Sequence, residues 1–278
     1  MDLLPIKNNQ KLSKTFFSYQ KNNTLHSPFG AAYRYVRTRK RLRVKHAEHF
    51  NDLKMLGYTV IPNYLGAQEC KKSVDDIKKA FEQYPSYVHK SEDQRIFGIE
   101  QVLPVARKLA QEIDFLELGE LVNREFTYCA FTLAGWLRAG CGGSSGNGWH
   151  RDAFFSQFKA MLYLTDVSKD NGPFEILPGS HKLSSVLSGI SKARLGYMQN
   201  RLSDKEAGRL EKVLSVPRKT LVGDAGTLIL FNSSAVHRGR PINNGERFAL
   251  TNYYFPTSRD PREVLEQFSP VLTAADVY

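Results

Sequence analysis

Two potential metal ligands lie one residue apart in this chain, and a third follows far along the sequence. His150 and Asp152 lie in the segment Trp149-His150-Arg151-Asp152, and His237 follows 85 residues after the aspartate. Residues i and i+2 of an extended strand point to the same face, so His150 and Asp152 can reach one ion. His237 must come from a different strand, which requires a sheet that returns to the same place.

Two histidines and one carboxylate occupy one face of the metal in non-heme Fe(II) oxygenases and leave the other positions open. The apolar run from Gly226 to Phe231 is typical of a buried strand, so we expect His237 just beyond its end. Arg247 follows ten positions later and opens a β-rich run to Phe255. A guanidinium is a natural bidentate partner for a carboxylate, and the far carboxylate of 2-oxoglutarate is the candidate.

The segment after the ligand pair resembles that of one protein family. Leu164 to Pro173 ends in Asp-Asn-Gly-Pro, and Phe174 to Lys182 contains Leu-Pro-Gly-Ser-His-Lys. With a His-x-Asp pair before them and a distal histidine and an arginine after them, these motifs resemble the phytanoyl-CoA dioxygenase family of Fe(II)- and 2-oxoglutarate-dependent oxygenases. The segment Gly57 to Val60 resembles the family's usual start, so the similarity covers about residues 50 to 256.

Position by position, the resemblance implies iron ligation by His150, Asp152 and His237, and 2-oxoglutarate binding by Arg247. It implies a mainly β fold with flanking helices, the double-stranded β-helix or cupin-like jelly-roll, with the metal in its mouth. The implied activity is hydroxylation of a small or lipid-like molecule, with an anionic one among the candidates. O2 and the co-substrate 2-oxoglutarate are consumed, succinate and CO2 are released, and ascorbate is expected to help in vitro. Related halogenases lack the carboxylate ligand, so Asp152 favours hydroxylation over halogenation.

Several of these residues also have an ordinary structural interpretation. Arg247 can pair with Glu246 or Asp224 instead of a co-substrate. A histidine beside a tight turn, as His181 is, is more typical of a hydrogen-bonded structural group than of a fourth ligand. Arg151 lies between the two ligands, and alternation predicts that it points away from the metal and bears on surface charge or substrate.

The remaining patterns predict where helices and loops flank the sheets. Helical spacing predicts an amphipathic helix over Ala67 to Tyr84 and more helix over Leu103 to Leu121, whereas Phe126 to Leu137 is typical of a strand. Residues 183 to 219 lack strand character, and the capping box beginning at Ser203 predicts a helical insertion that forms a wall of the substrate pocket. The five glycines of residues 140–148 indicate either a plain hairpin connection or a lid.

Positive charge is concentrated at the N-terminus. Residues 1–50 carry 11 Lys and Arg against two acids, whereas residues 51–278 carry 28 against 26. We therefore predict a basic N-terminal extension over 1–50 and an oxygenase domain over 51–278. The densest block, residues 34–45, fits a solvated tail, a packed arm, or peripheral contact with an anionic membrane surface. Nucleic acid is the less favoured partner, because no zinc motif or recognition helix accompanies the block.

Cysteine spacing and hydropathy bear on the compartment. Cys70, Cys129 and Cys141 have unrelated spacings, which argues against a disulfide framework and favours a reducing compartment. No apolar run approaches about 18 residues, so we expect no transmembrane segment and a cytoplasmic protein. The alternative to an enzyme is a non-catalytic metal-binding scaffold whose basic arm docks to a membrane or polyanion. The triad together with Arg247 favours the enzyme, since the fold alone cannot decide.

Overall fold

The structure is a computed structural model, and it describes residues 47–90, 93–139 and 148–277. The charged block of residues 34–45 lies outside this part of the chain, as does most of the glycine-rich segment 140–148. The predictions of a membrane-binding arm and of a lid therefore remain predictions. No helix within the described ranges is long and apolar enough to cross a membrane.

Twelve strands can be followed through the described residues. In chain order they are β1 (Tyr58–Ile61), β2 (His89–Lys90), β3 (Gln94–Phe97), β4 (Thr127–Arg138), β5 (Trp149–His150), β6 (Phe158–Tyr163), β7 (Phe174–Ile176), β8 (Arg201–Leu202), β9 (Lys219–Leu221), β10 (Leu228–Asn232), β11 (His237–Gly239) and β12 (Glu246–Pro256). The α-helices are α1 (Ala47–Met55), α2 (Ala67–Gln83), α3 (Pro104–Ala110), α4 (Ile113–Asn123), α5 (Leu183–Ser191), α6 (Asp204–Leu214), α7 (Pro261–Gln267) and α8 (Ala274–Val277).

The strands form two antiparallel sheets. The larger has seven strands in the order β1-β10-β6-β12-β4-β3-β2, and the smaller has five in the order β8-β5-β11-β7-β9. From β4 onward the chain passes repeatedly from one sheet to the other, which is the arrangement of a jelly-roll. The predicted mainly β fold with flanking helices, a double-stranded β-helix, is therefore confirmed.

Both faces of the larger sheet are covered, which explains the continuous apolar run in β10. Leu228 and Leu230 pack into the core beneath the helices, whereas Ile229 and Phe231 pack into the core between the sheets. All of them are almost completely buried. A strand buried on both faces has no polar face to alternate with its apolar one.

Strand alternation also sorts the residues of β12. Phe248 and Leu250 face the helices, whereas Arg247 and Ala249 line a cavity between the sheets. The same rule places Lys159 of β6 in that cavity, since its neighbours in the strand belong to the helix-facing core. The period of two along these strands thus builds a polar chamber inside an otherwise apolar sandwich.

Both stretches predicted to be helical are helical, but the second is divided into two helices. Helix α2 matches the predicted amphipathic helix and buries Cys70, Ile77 and Phe81. The stretch predicted as helix between Leu103 and Leu121 is divided into α3 and α4. At the end of α3, the carbonyl of Leu109 accepts a hydrogen bond from the Asn252 side chain at 2.9 Å. The same carbonyl also accepts from the Glu112 N–H at 3.4 Å, an i+3 contact typical of a helix end.

The predicted insertion over 183–219 contains α5 and α6 and supports the smaller sheet. Ser203 and Glu206 form the predicted capping box at the start of α6. The prediction missed strand β8 within the insertion, and β8 pairs with β5, which carries His150. Arg201 of β8 lines the same cavity as His150, so the insertion contributes to the wall of the pocket.

Candidate metal centre

The two histidines of the predicted triad lie opposite each other on neighbouring strands. His150 of β5 and His237 of β11 are register partners, and their ring centroids are 4.4 Å apart. Asp152 lies just beyond β5, where its backbone N–H donates to the Ser233 carbonyl at 3.0 Å. One potential ligand atom from each of the three residues lies within 4.8 Å of the others. The fold therefore brings the three predicted ligands together at one point.

Hydrogen bonds to the backbone determine which nitrogen of each imidazole faces this point. Nδ1 of His150 lies 2.8 Å from the Gly148 carbonyl oxygen, and Nδ1 of His237 lies 2.8 Å from the Ala235 carbonyl oxygen. A carbonyl oxygen only accepts, so each Nδ1 carries a proton and each Nε2 is the nitrogen left for the metal-ligand cluster. Burial, with His150 close by, lowers the pKa of His237 to about 3 and keeps this ring neutral.

The Nε2 atom of His150 and the carboxylate of Asp152 face each other at the centre of the triad. His150 Nε2 is 3.5 Å from Asp152 Oδ1, and the pKa of Asp152 lies well below its ordinary range. Burial opposes ionisation of this carboxyl, but the nearby Lys159 ammonium and His150 outweigh it. A cation at this point would attract both the carboxylate and an imidazole lone pair. The donor set of two imidazoles and one carboxylate matches that of non-heme Fe(II) sites.

A buried lysine, which sequence reasoning missed, completes the centre. Lys159 Nζ lies 2.7 Å from Asp152 Oδ2 and 3.6 Å from the centroid of the Tyr253 ring. Burial alone would lower the pKa of Lys159, but the charge of Asp152 outweighs it and raises this pKa. The two oxygens of Asp152 thus have different partners, since Oδ1 faces the histidines and Oδ2 faces an ammonium.

Arg247 is buried in the cavity with one side of its guanidinium fixed. Nη1 donates to the Gly172 carbonyl, while Nε has no partner among the described residues. Glu246, considered as an alternative partner, instead pairs with Lys78 at 3.1 Å and accepts from Trp136 Nε1 at 2.9 Å. A buried guanidinium with an unused donor fits a carboxylate that enters the cavity.

The triad and Arg247 line one cavity of about 430 Å³. This volume is at the lower end of the range for small-molecule sites. The wall carries more cations than carboxylates: the cations are Arg95, Lys159, Arg201, Arg247 and Arg259, and the carboxylates are Asp93 and Asp152. Positive charge in a concave, partly desolvated site favours anions.

Comparison with known proteins agrees with this geometry. Residues 54–249 match the family model described as phytanoyl-CoA dioxygenase (PhyH). The chain belongs to the phytanoyl-CoA dioxygenase family. The predicted resemblance is therefore confirmed over most of the chain.

The proteins to which this chain is similar are named for different reactions. The chain is 30% identical over 122 residues to L-proline trans-4-hydroxylase of Streptomyces griseoviridis, and the match covers 36% of this chain and 44% of that protein. The chain thus spans less than half of that relative's length. Its fold is similar to that of SnoK, an α-ketoglutarate-dependent carbocyclase from nogalamycin biosynthesis, with a TM-score of 0.58, 16% identity and coverage of 75% of this chain and 83% of that one.

A second fold relative is EctD from S. alaskensis, solved with 2-oxoglutarate and 5-hydroxyectoine. Its TM-score is 0.58 and its identity 18%, and the match covers 76% of each chain. At such low identity these two structures bear on the fold alone, and they agree with the jelly-roll described above.

In this phytanoyl-CoA dioxygenase family member, Arg151 has a different role from the predicted one. Its side chain does point away from the metal centre, but it is buried rather than on the surface. Nη1 donates to the carbonyls of Ser180 at 3.1 Å and Ser234 at 2.6 Å. The prediction that Arg151 bears on surface charge or substrate is therefore wrong, because neighbouring loops cover the outer face of this segment.

His181 has the structural environment that was predicted for it. Its Nε2 lies 3.2 Å from the Lys54 carbonyl oxygen, and the metal-ligand cluster found among the described residues does not include it. Burial lowers its pKa, which keeps the ring neutral. His181 thus ties the turn after β7 to the end of α1.

Proposed function

We propose that this protein is an Fe(II)- and 2-oxoglutarate-dependent dioxygenase that hydroxylates a small, anionic molecule. The observation that carries the proposal is that three metal-ligating side chains and a buried arginine with an unused donor line one cavity. A non-catalytic metal scaffold has no need for the arginine. Family membership determines neither that the reaction is a hydroxylation nor that the substrate is anionic.

Iron is assigned to His150, Asp152 and His237. Their imidazole Nε2 atoms and the carboxylate Oδ1 form a one-sided set, which leaves positions for exogenous ligands. When bound, iron with 2-oxoglutarate and O2 supplies the oxidising power, and 2-oxoglutarate is converted to succinate and CO2. The protein's own contribution is to bind, orient and desolvate the reactants.

Arg247 is assigned to the far carboxylate of 2-oxoglutarate. Its guanidinium is held by the Gly172 carbonyl, Arg247 lines the cavity, and its buried Nε has no protein partner among the residues described. Burial lowers the pKa of Arg247, so an incoming carboxylate would restore a favourable environment for its charge. Ala249 follows on the same face of β12, and its small side chain leaves room beside the arginine.

An anionic substrate is supported by the charge of the remaining wall. With Arg247 assigned to 2-oxoglutarate and Lys159 to Asp152, Arg95 pairs with Asp93 at 2.8 Å, and the wall still carries Arg201 and Arg259. The proline hydroxylase relative is named for an amino acid, which carries a carboxylate. A cavity of about 430 Å³ also suits a molecule of that size better than a polymer or a whole lipid.

The test is 2-oxoglutarate turnover to succinate under air with Fe(II) and ascorbate. We expect turnover in the wild type and its loss in His150→Ala, Asp152→Ala and His237→Ala. His89→Ala is the matched control, because this histidine bonds to the Pro270 carbonyl away from the cavity and its loss should leave turnover unchanged.

Arg247→Met should need at least about tenfold more 2-oxoglutarate, which corresponds to the loss of about 1.4 kcal/mol of binding. Arg218→Met is its control, since that arginine pairs with Glu211 outside the cavity. Anaerobic addition of Fe(II) and 2-oxoglutarate should produce a metal-to-ligand charge-transfer absorption band. Absence of both turnover and this band in the wild type would refute the proposed function.

A further inference from the structure

Lys159 is a charged residue in a buried position. Its side chain is 5% exposed, and it lies on β6 between Phe158 and Ala160, which face the helix-covered core. Burying an ammonium is unfavourable unless a partner compensates for the lost hydration. The compensation comes from the carboxylate of Asp152 and from the electron-rich face of Tyr253. The side chain is therefore confined to one place, directly beside a proposed metal ligand.

The contact with Lys159 gives the two carboxylate oxygens of Asp152 different partners. Oδ2 accepts from Lys159 Nζ at 2.7 Å, whereas Oδ1 lies 3.5 Å from His150 Nε2. A carboxylate with both oxygens available can bind a metal through two atoms and use up an additional coordination position. A carboxylate whose second oxygen is engaged by an ammonium offers only one.

We propose that Lys159 is a positioning residue that restricts Asp152 to one metal-facing oxygen and so keeps a coordination position available for 2-oxoglutarate. This inference rests on the proposed function of the site. Lys159 acts through Asp152 and needs no contact with the reacting atoms.

The proposal has an unusual electrostatic consequence. An ammonium beside the ligand carboxylate repels a divalent cation and attracts the dianion 2-oxoglutarate. Removal of Lys159 should therefore maintain or strengthen metal binding while it weakens 2-oxoglutarate binding to the metal-loaded protein. A lysine that only stabilised the fold would, when removed, weaken both.

The test compares Lys159→Met, Lys159→Ala and Lys159→Arg in the full chain. The dissociation constant for Mn(II) is measured by electron paramagnetic resonance, and that for 2-oxoglutarate by calorimetry on the Mn(II)-loaded protein. In Lys159→Met we expect Mn(II) binding that is unchanged or up to about tenfold tighter, and 2-oxoglutarate binding that is at least about tenfold weaker. Lys159→Arg should be close to wild type, since it keeps the charge and a donor for Oδ2.

Lys78→Met is the matched control, because Lys78 also pairs with a carboxylate, Glu246 at 3.1 Å, but lies outside the cavity. It should change neither constant. Weaker Mn(II) binding in Lys159→Met, or equal 2-oxoglutarate affinity in Lys159→Met and wild type, would overturn the proposal.

Two further outcomes keep the proposal testable. If Lys159→Met fails to fold, Lys159→Ala decides, because it removes both the donor for Oδ2 and the charge and should lose at least about tenfold in 2-oxoglutarate affinity. An unchanged affinity in Lys159→Ala would then overturn the proposal. If the wild type binds Mn(II) but not 2-oxoglutarate, the proposed function is contradicted. The comparison of Mn(II) affinity between Lys159→Met and wild type still tests Lys159 by itself.

Discussion

Arg247 donates a hydrogen bond to the carbonyl oxygen of Gly172, and this contact joins the end of the Asp-Asn-Gly-Pro turn to the cation at the base of the cavity. The turn and the arginine are 75 residues apart in sequence. The turn is therefore part of the site, although it contributes a backbone atom and no side chain.

Gly172→Ala should weaken 2-oxoglutarate binding. Gly172 has a φ of +75°, and a Cβ atom there would lie 2.6 Å from Leu137 Cδ2 and 3.3 Å from the Arg240 carbonyl oxygen. The turn would have to shift and carry with it the acceptor of Arg247. We expect a loss of about 1–3 kcal/mol in unfolding free energy and a several-fold higher KM for 2-oxoglutarate, measured by succinate formation. Gly245→Ala is the control, since Gly245 has a φ of +72° but no neighbour within 4 Å of the added Cβ. An equal rise in KM for both variants would show that the Gly172 contact is unimportant.

Asp152→Ala should cost more stability in the apo-protein than Asp152→Ala combined with Lys159→Met. The single variant leaves the Lys159 ammonium buried without its carboxylate, whereas the double variant removes both charges. Breaking a fully buried pair costs about 3–5 kcal/mol, and the 25% exposure of the Asp152 side chain reduces the expected loss to about 1–3 kcal/mol. Urea unfolding of the two single variants and the double variant measures the coupling. Additive losses of unfolding free energy would contradict the ion pair between Asp152 and Lys159. Both variants that lack Asp152 should fail to bind metal.

Glu100→Gln should change how stability depends on pH. Burial raises the pKa of Glu100 to about 7, so the folded protein keeps a proton that the unfolded chain releases above about pH 4.5. The folded state binds more protons in this window, so the free energy of unfolding falls as pH rises from about 4.5 to 7 and then levels off. Glutamine cannot titrate and still offers an oxygen to the Thr132 N–H, which Glu100 Oε2 accepts at 2.8 Å. Relative to wild type, we expect Glu100→Gln to gain about 1–3 kcal/mol between pH 5 and pH 8 in urea unfolding. Exposed Glu82→Gln should show no such gain, and a parallel pH profile for Glu100→Gln and wild type would disprove the assignment.

Arg151→Lys should destabilise the fold although it conserves charge. Burial lowers the pKa of Arg151 to about 10, and its two acceptors are the carbonyls of Ser180 and Ser234. A lysine ammonium lacks the planar fork and is more strongly hydrated, so it is less suited to this buried position. We expect a loss of about 2–4 kcal/mol and a lower Tm. Arg238→Lys, whose guanidinium pairs with Glu175 closer to solvent, should lose less. A Tm equal to that of wild type in Arg151→Lys would contradict the anchoring role.

The sequence was sufficient to predict the jelly-roll and the family, and the convergence of His150, Asp152 and His237. The jelly-roll and the family followed from the resemblance of the motifs, whereas the convergence of His150 and Asp152 also follows from side-chain chemistry and the two-residue period of strands. The short apolar run that ends near Phe231 also indicated correctly where a buried strand precedes His237. The roles assigned to the ligands and to Arg247 remain proposals.

Lys159 shows what local patterns could not provide. A single lysine inside the apolar segment Phe158 to Tyr163 is a signal that could have marked it as cavity-facing, since its neighbours in the strand are apolar. Its distance to Asp152, however, depends on how β6 and the segment after β5 are placed in two different sheets. Arg151 was misjudged for the same reason, because the loops around Ser180 and Ser234 that bury it are distant in sequence. Contacts between sheets are set by the whole fold rather than by spacing.

The pairing of His150 with His237 across β5 and β11 links metal chemistry to chain topology. A slip of one residue between these strands would turn one imidazole to the opposite side of the sheet. The ability to capture a metal ion is therefore also a test of correct strand alignment, and a misaligned chain would be unable to hold the metal. Metal capture during refolding would then report the moment at which this part of the β-sandwich reaches its native alignment.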